Sequence, residues 1–221
     1  MLYEEILDDA LNELGAVAQS LRWAEMAILT SSPVQKRSAQ LITASSYVVI
    51  AATIEKFVRR TLNKLAVDIR TSGALRRDIK YSLHSLFGDN HLNSFRDLRD
   101  YQKSWEKRLE LFELQSSANP LDESQADLPL DGKTIRPVHL EVVWSVFSLP
   151  QGPFPNSLCR AALVDIADGR NDIAHGHVAI SSFAMRKGTT DTLKKITRIE
   201  EMLTHISLQA ISYISVRGYL K

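Results

Sequence analysis

The sequence predicts an all-α protein, a bundle of long antiparallel helices with an irregular insertion. Three observations predict it: apolar residues recur every three to four positions over long stretches, no alternating strand series occurs, and no Gly-rich phosphate loop is present. From about Leu2 to Leu29, apolar groups at Ile6, Ala10, Leu14, Val17, Leu21 and Ala24 mark one face of a long helix. Ser31, Ser32 and Pro33 interrupt it, and a second periodic stretch runs from about Ala39 to Val67. Its middle, Tyr47 to Ile54, is apolar all round, which places this helix at the centre of a bundle.

Further along, Ser72-Gly73, Gly88-Asp89-Asn90 and Ser116 to Asp122 are turn signals between shorter helices expected near 74–86 and 93–115. Residues 116–137 turn polar and carry Pro120, Pro129, Asp131-Gly132 and Pro137, the composition of a long irregular connection or a partner-binding loop. His139 to Leu149 reads as a short amphipathic helix, and the proline-rich run from Pro150 to Pro155 as a rigid link. Asn156 is a candidate N-cap for a helix whose apolar positions lead to Asp168-Gly169. A final helix is expected near Thr190 to Tyr219, with Leu193, Ile196, Ile199, Met202, Leu203, Ile206 and Ile211 on one stripe.

With 221 residues the chain has the length of one generous domain, 1–221, and its hydrophobic and charged fractions are those of a globular protein. A formal net charge of +1 gives no global attraction to nucleic acid or anionic membrane, so a nucleic-acid site has to be local. Cys159 is the single cysteine, which rules out an intrachain disulfide and fits a reducing compartment. Glu4 and Glu5 stand where a signal peptide needs cations, and the uncharged run from Ser38 to Ile54 carries Gln40, Thr43, Ser45 and Ser46. A soluble, cytoplasmic protein with no membrane partner is expected.

The run Arg170-Asn171-Asp172-Ile173-Ala174-His175-Gly176-His177 gathers a guanidinium, an amide, a carboxylate and two imidazoles. Arg presents a planar fork that holds phosphoryl oxygens, and His moves protons near neutrality. Cleavage of RNA needs those parts and no metal: a base for the ribose 2′-hydroxyl, a cation at the phosphorus, and an acid for the leaving 5′-oxygen. The spacing Arg-x-x-x-x-His is weak by itself, because 16 Arg and six His produce roughly 0.4 such pairs by chance. A structural reading pairs Arg170 with Asp165, Asp168 or Asp172 and makes His175 a helix cap.

Arg-Asn-x-Ile-Ala-His-Gly, after an apolar helix and before a long final one, resembles the signature of the HEPN superfamily. It is similar to the RiboL-PSP and MAE-type subgroup associated with bacterial conflict systems, including the helix around Ala51 to Phe57. The resemblance implies a toxin-like or defence endoribonuclease with Arg170 and His175 as catalytic pair, Asn171 organising the turn between them, and Glu55 as supporting polar group. Glu55 has Ala51, Ala52 and Val58 as helical neighbours and needs a partner, either Arg59 one turn on or Arg170 from the later helix. In toxins neutralised by a minimal nucleotidyltransferase a Tyr stands two positions after the motif His. His177 stands there in this chain, so nucleotidylation is not expected, and His177 is a second proton carrier or a surface residue. Asp172, Arg59 and His177 are the candidate substrate-binding groups.

No cofactor is implied, and His84, His91, His139 and His205 are too scattered for a zinc site. The cations from Lys56 to Lys80 guide RNA or form a solvated face. Trp23, Trp105 and Trp144 are read as packing residues rather than stacking platforms. Five residues along a regular helix turn it through about 500°, leaving Arg170 and His175 about 140° apart. Two remedies follow: a helix break near Gly169, or a homodimer in which a second motif faces the first. The expected partners are RNA, a second copy of the chain, and an antitoxin or effector protein.

Overall fold

Two long helices, α1 (Tyr3–Thr30) and α2 (Pro33–Thr71), form an antiparallel hairpin in the computed structural model, which describes residues 2–30, 32–87, 100–121, 126 and 128–221. Pairs between them fix the register: Tyr3 donates to Asp68, Asp9 meets Arg60 at 2.8 Å, and Glu13 meets Lys56 at 2.5 Å. As partner numbers rise on one helix they fall on the other. Pro33 starts α2 rather than merely interrupting the chain, because Ser32 caps the helix in a reciprocal capping box with Gln35 and leaves proline at the first turn. The expected start at Ala39 is therefore six residues late.

The centre of α2 packs on α1 and on three later helices, α6 (Ser157–Ala174), α7 (Ile180–Lys187) and α8 (Thr189–Ser215). Tyr47, Ile50 and Ile54 are buried there, and α2 is long and apolar enough by composition to cross a membrane, with 56% of its most apolar window buried in the fold. It is not enclosed on every side: Val48 and Val49 are exposed. All seven positions of the stripe expected on α8 face inward to some degree, with Ile196, Ile199, Met202, Leu203 and Ile206 fully buried. One apolar core extends from Tyr3 to Tyr219.

The middle of the chain departs from expectation. In place of one helix over 74–86, Leu75 bridges Pro120, short 3₁₀ turns span Arg76–Asp78 and Tyr81–Leu83, and a single α-turn follows as α3 (His84–Phe87). Ile79 bridges Leu220 near the C-terminus, so this stretch is pinned by partners distant in sequence that no local pattern encodes. The turn at Gly88-Asp89-Asn90, His91 and the start of the helix expected at 93 lie outside the described residues. Residues Tyr101–Ser116 form α4, and the described part of 117–136 is irregular, as expected.

Next, α5 (Pro137–Phe147) again begins on a proline. Asn156 caps α6 by accepting the N–H of Cys159 at 3.0 Å. The sequence pattern does not predict the short helix α7. Gly188, at φ +66, separates it from α8, and what reads as a lead-in to one long helix is two. Among the described residues there are eight α-helices and no strand.

Candidate active site

The motif occupies the end of α6. That helix runs unbroken through Gly169 to Ala174, so the break expected near Gly169 does not occur. The glycine answers to packing instead. A Cβ there would fall into the ring of Tyr47 and come within 3.0 Å of Phe183 Cζ, so only glycine lets α6 lie this close to α2 and α7.

The helix terminates in a Schellman motif. His175 is the C-cap at φ −95 and ψ 0, Gly176 follows at φ +65, the Gly176 N–H donates to Ile173 O, and the His177 N–H donates to Asp172 O. Gly176 thus turns the chain sharply through a left-handed conformation just after the end of α6. His175 and His177 are exposed, their rings stacked 5.4 Å apart.

Arg170, Asn171 and His175 line one cleft of about 440 Å³, and Glu55 reaches it from α2. Both side chains border this cleft although α6 is unbroken between them, so a shared cleft does not require a helix break. Asn171 Oδ1 accepts from Arg170 Nη1 at 3.2 Å, which makes the amide an orienting group for the guanidinium. The carboxylates expected as partners of Arg170 are all engaged elsewhere. Asp165 holds Lys187 and Lys195 and accepts from the Tyr47 hydroxyl, Asp168 pairs with Arg136 at 2.8 Å, and Asp172 pairs with Arg186 at 3.0 Å. Arg170 makes no ion pair among the described residues.

The partner of Glu55 is Arg59, one turn along α2 at 3.3 Å. Arg59, Asp172 and His177 do not line the cleft, so three residues expected to bind substrate stand outside it. The cationic run on α2 is largely neutralised by carboxylates of α1 and of α2 itself, which favours the solvated-face reading: Lys56 meets Glu13, Arg60 meets Asp9, and Lys64 meets Asp68 at 2.5 Å. Trp144 is buried, whereas Trp23 and Trp105 are about half exposed.

Sequence reasoning missed the far wall. It is built by Asp131, Lys133, Thr134 and Arg136 of the irregular segment and by His139 of α5. The Nδ1 of His139 accepts the Arg136 N–H at 3.0 Å, and its Nε2 lies 3.6 Å from Asp131 Oδ1. Asp131 in turn accepts the backbone N–H of Lys133, which together with His139 and Lys133 holds its carboxyl below the usual value. The available signal was the Arg-Pro-x-His order: proline at the first helical turn identifies His139 as the third residue of a helix, where a side chain can reach back to the cap.

The molecule is thus a helical bundle whose motif helix ends at a polar cleft. The chain matches the family described as HEPN_MAE_28990/-like HEPN over residues 6–219 and belongs to that family. HEPN domains are often ribonucleases or nucleotide-binding modules. No curated protein and no solved structure matches the chain significantly.

Proposed function

We propose that this HEPN protein is a metal-independent endoribonuclease of toxin–antitoxin or phage-defence type, with the cleft at Arg170 and His175 as its site. The observation that carries this reading is an arginine without an ion-pair partner among the described residues, oriented by Asn171 and sharing a cleft with an exposed histidine. A cation kept from three nearby carboxylates is available to a phosphodiester. In this chemistry the 2′-oxygen forms a new bond to phosphorus, the bond to the 5′-oxygen breaks, and that oxygen takes a proton. Arg170 stabilises the charge on the phosphoryl oxygens and His175 carries the proton. RNA is the substrate, no cofactor is required, and an antitoxin or effector protein is the expected regulator in a cytoplasmic setting.

A homodimer is part of the proposal. Three residues beyond His177 in the chain, Ile180 borders with Val34 and Leu41 a groove of about 910 Å³, and all three apolar side chains are exposed. A second copy covering this face would bring two motifs together. Sedimentation at micromolar concentration checks it, with Leu41→Asp expected to yield monomers. Recovery of cleavage on mixing Arg170→Ala and His175→Ala chains would support a shared site, and a fully active monomer would sink it.

The test of the activity is purified protein with total RNA in excess chelator, beside His175→Ala. Binding without cleavage would favour the second reading, a non-catalytic RNA- or nucleotide-binding module. The size of the cleft supports that reading too, since about 440 Å³ lies in the range of small-ligand sites.

A further inference from the structure

We infer that His139 is a phosphate-binding residue of this cleft, acting as a fixed hydrogen-bond donor through Nε2 and not as a second proton carrier. The inference rests on the reading of the cleft as an RNA site and extends it to a residue outside the motif.

The tautomer follows from the helix start. Nδ1 accepts the Arg136 N–H at 3.0 Å, so in the neutral ring the hydrogen resides on Nε2. The contact spans from the third residue of α5 back to its cap, the place where a capping box normally puts Glu or Gln. With Nδ1 committed to the backbone, the ring cannot pivot without uncapping α5.

Nε2 has no comparable partner. Asp131 Oδ1 lies 3.6 Å away, beyond hydrogen-bond range, and no hydrogen bond from Nε2 is made among the described residues. The side chain is 18% exposed, and that exposure is to the cleft it shares with Arg170. A rigidly held, unmade donor opposite a guanidinium suits the oxygens of a phosphodiester: Arg170 supplies charge and His139 direction. Asp131, Lys133, Arg136, Glu55 and His175 are the other charged or titratable groups of the cleft. Asp131 is the group that a phosphate would displace from its approach to Nε2.

The experiment measures binding of a 2′-O-methyl oligoribonucleotide, which has no attacking hydroxyl, by fluorescence anisotropy in chelator. His139→Gln retains both the capping acceptor and a donor, and is expected to bind within about twofold of the original protein. His139→Glu retains the cap, loses the donor, and is expected to bind roughly tenfold or more weakly at an unchanged melting temperature, the scale of losing a hydrogen bond to a charged group. Thr134→Glu, in the same cleft, controls for added negative charge and is expected to cost less. Equal weakening by Thr134→Glu and His139→Glu, unchanged binding by His139→Glu, or no binding by the original protein would each overturn the inference. Oligonucleotide binding with this pattern but no cleavage of ordinary RNA would support His139 as donor while ending the ribonuclease reading.

Discussion

Asp165 and Arg170 stand five residues apart on α6 and live by opposite rules. Around Asp165 every charge is matched: its carboxylate holds Lys187 and Lys195, accepts from Tyr47, and joins α6 to α2, α7 and α8. The carboxylates flanking Arg170 are matched too, Asp168 by Arg136 and Asp172 by Arg186, and Arg170 itself is left without an ion pair among the described residues. Among the described residues the guanidinium bonds only the Asn171 amide, and the imidazoles beyond it face solvent. One side chain is satisfied by the fold, while the other is held in place by it and left to satisfy something from outside.

The largest way to break the comparison is at the open end. Arg170→Ala and His175→Ala are each expected to lower RNA cleavage by about 10² to 10⁴, with melting temperatures unchanged because neither side chain bears on the core. Wild-type cleavage by either purified variant would remove the cleft from the chemistry.

At the matched end the effect should be on stability. Burial alone would raise the carboxyl of Asp165, but its hydrogen bond to Lys187 and the charges of Lys195 and Lys187 outweigh this and hold it below the usual value. A carboxyl lowered by folding contributes stability above its unfolded pKa, and that contribution is lost as pH falls through the folded one. Asp165→Asn is thus expected to cost about 1 to 3 kcal/mol near neutrality. The difference from the original protein should shrink below about pH 4, where the carboxylate protonates anyway. A difference independent of pH, read by thermal melts from pH 3 to 8, would show that its charge is not what holds the helices.

These two ends are unequally legible in the sequence. The long helices are readable because their periodicity is local, and so is the Asn156 cap. The motif is readable because Arg170, Asn171 and His175 lie within one stretch of chain. The far wall of the cleft is not, since Asp131 and His139 come to it from an irregular segment and a different helix, placed by long-range packing. Gly169 is opaque for the same reason. A glycine beside an aspartate resembles a helix stop, and only the ring of Tyr47, 122 positions earlier, explains why it stands within a helix.

The close approach at Gly169 yields a smaller, paired prediction. Gly169→Ala is expected to lower stability by up to about 2 kcal/mol, since overpacking costs about 1 to 3 kcal/mol and alanine's better helix propensity returns about 1. At Gly15, within α1, an added Cβ would meet nothing within 4 Å, so Gly15→Ala is expected to raise stability by about 0.5 to 1 kcal/mol. Melting shifts of the same sign would contradict the packing explanation.

The smallest expected effect concerns Glu55, which belongs to both regimes: it pairs with Arg59 like a structural residue and lines the cleft like a functional one. Both partners are partly exposed, so the pair is worth about 0.3 to 0.5 kcal/mol, and breaking it should barely move the melting temperature. Activity separates the roles. Glu55→Ala is expected to slow cleavage by about two- to tenfold, less than the direct loss of an acid–base group, because its carboxylate borders the cleft without replacing Arg170 or His175. Arg59→Ala breaks the same pair from outside the cleft and is expected to leave the rate unchanged. If the two substitutions slowed cleavage equally, the ion pair itself would be the contributor, acting on the shape of α2. If neither did, Glu55 would belong with Asp165, among the residues that hold the helices and take no part beyond that.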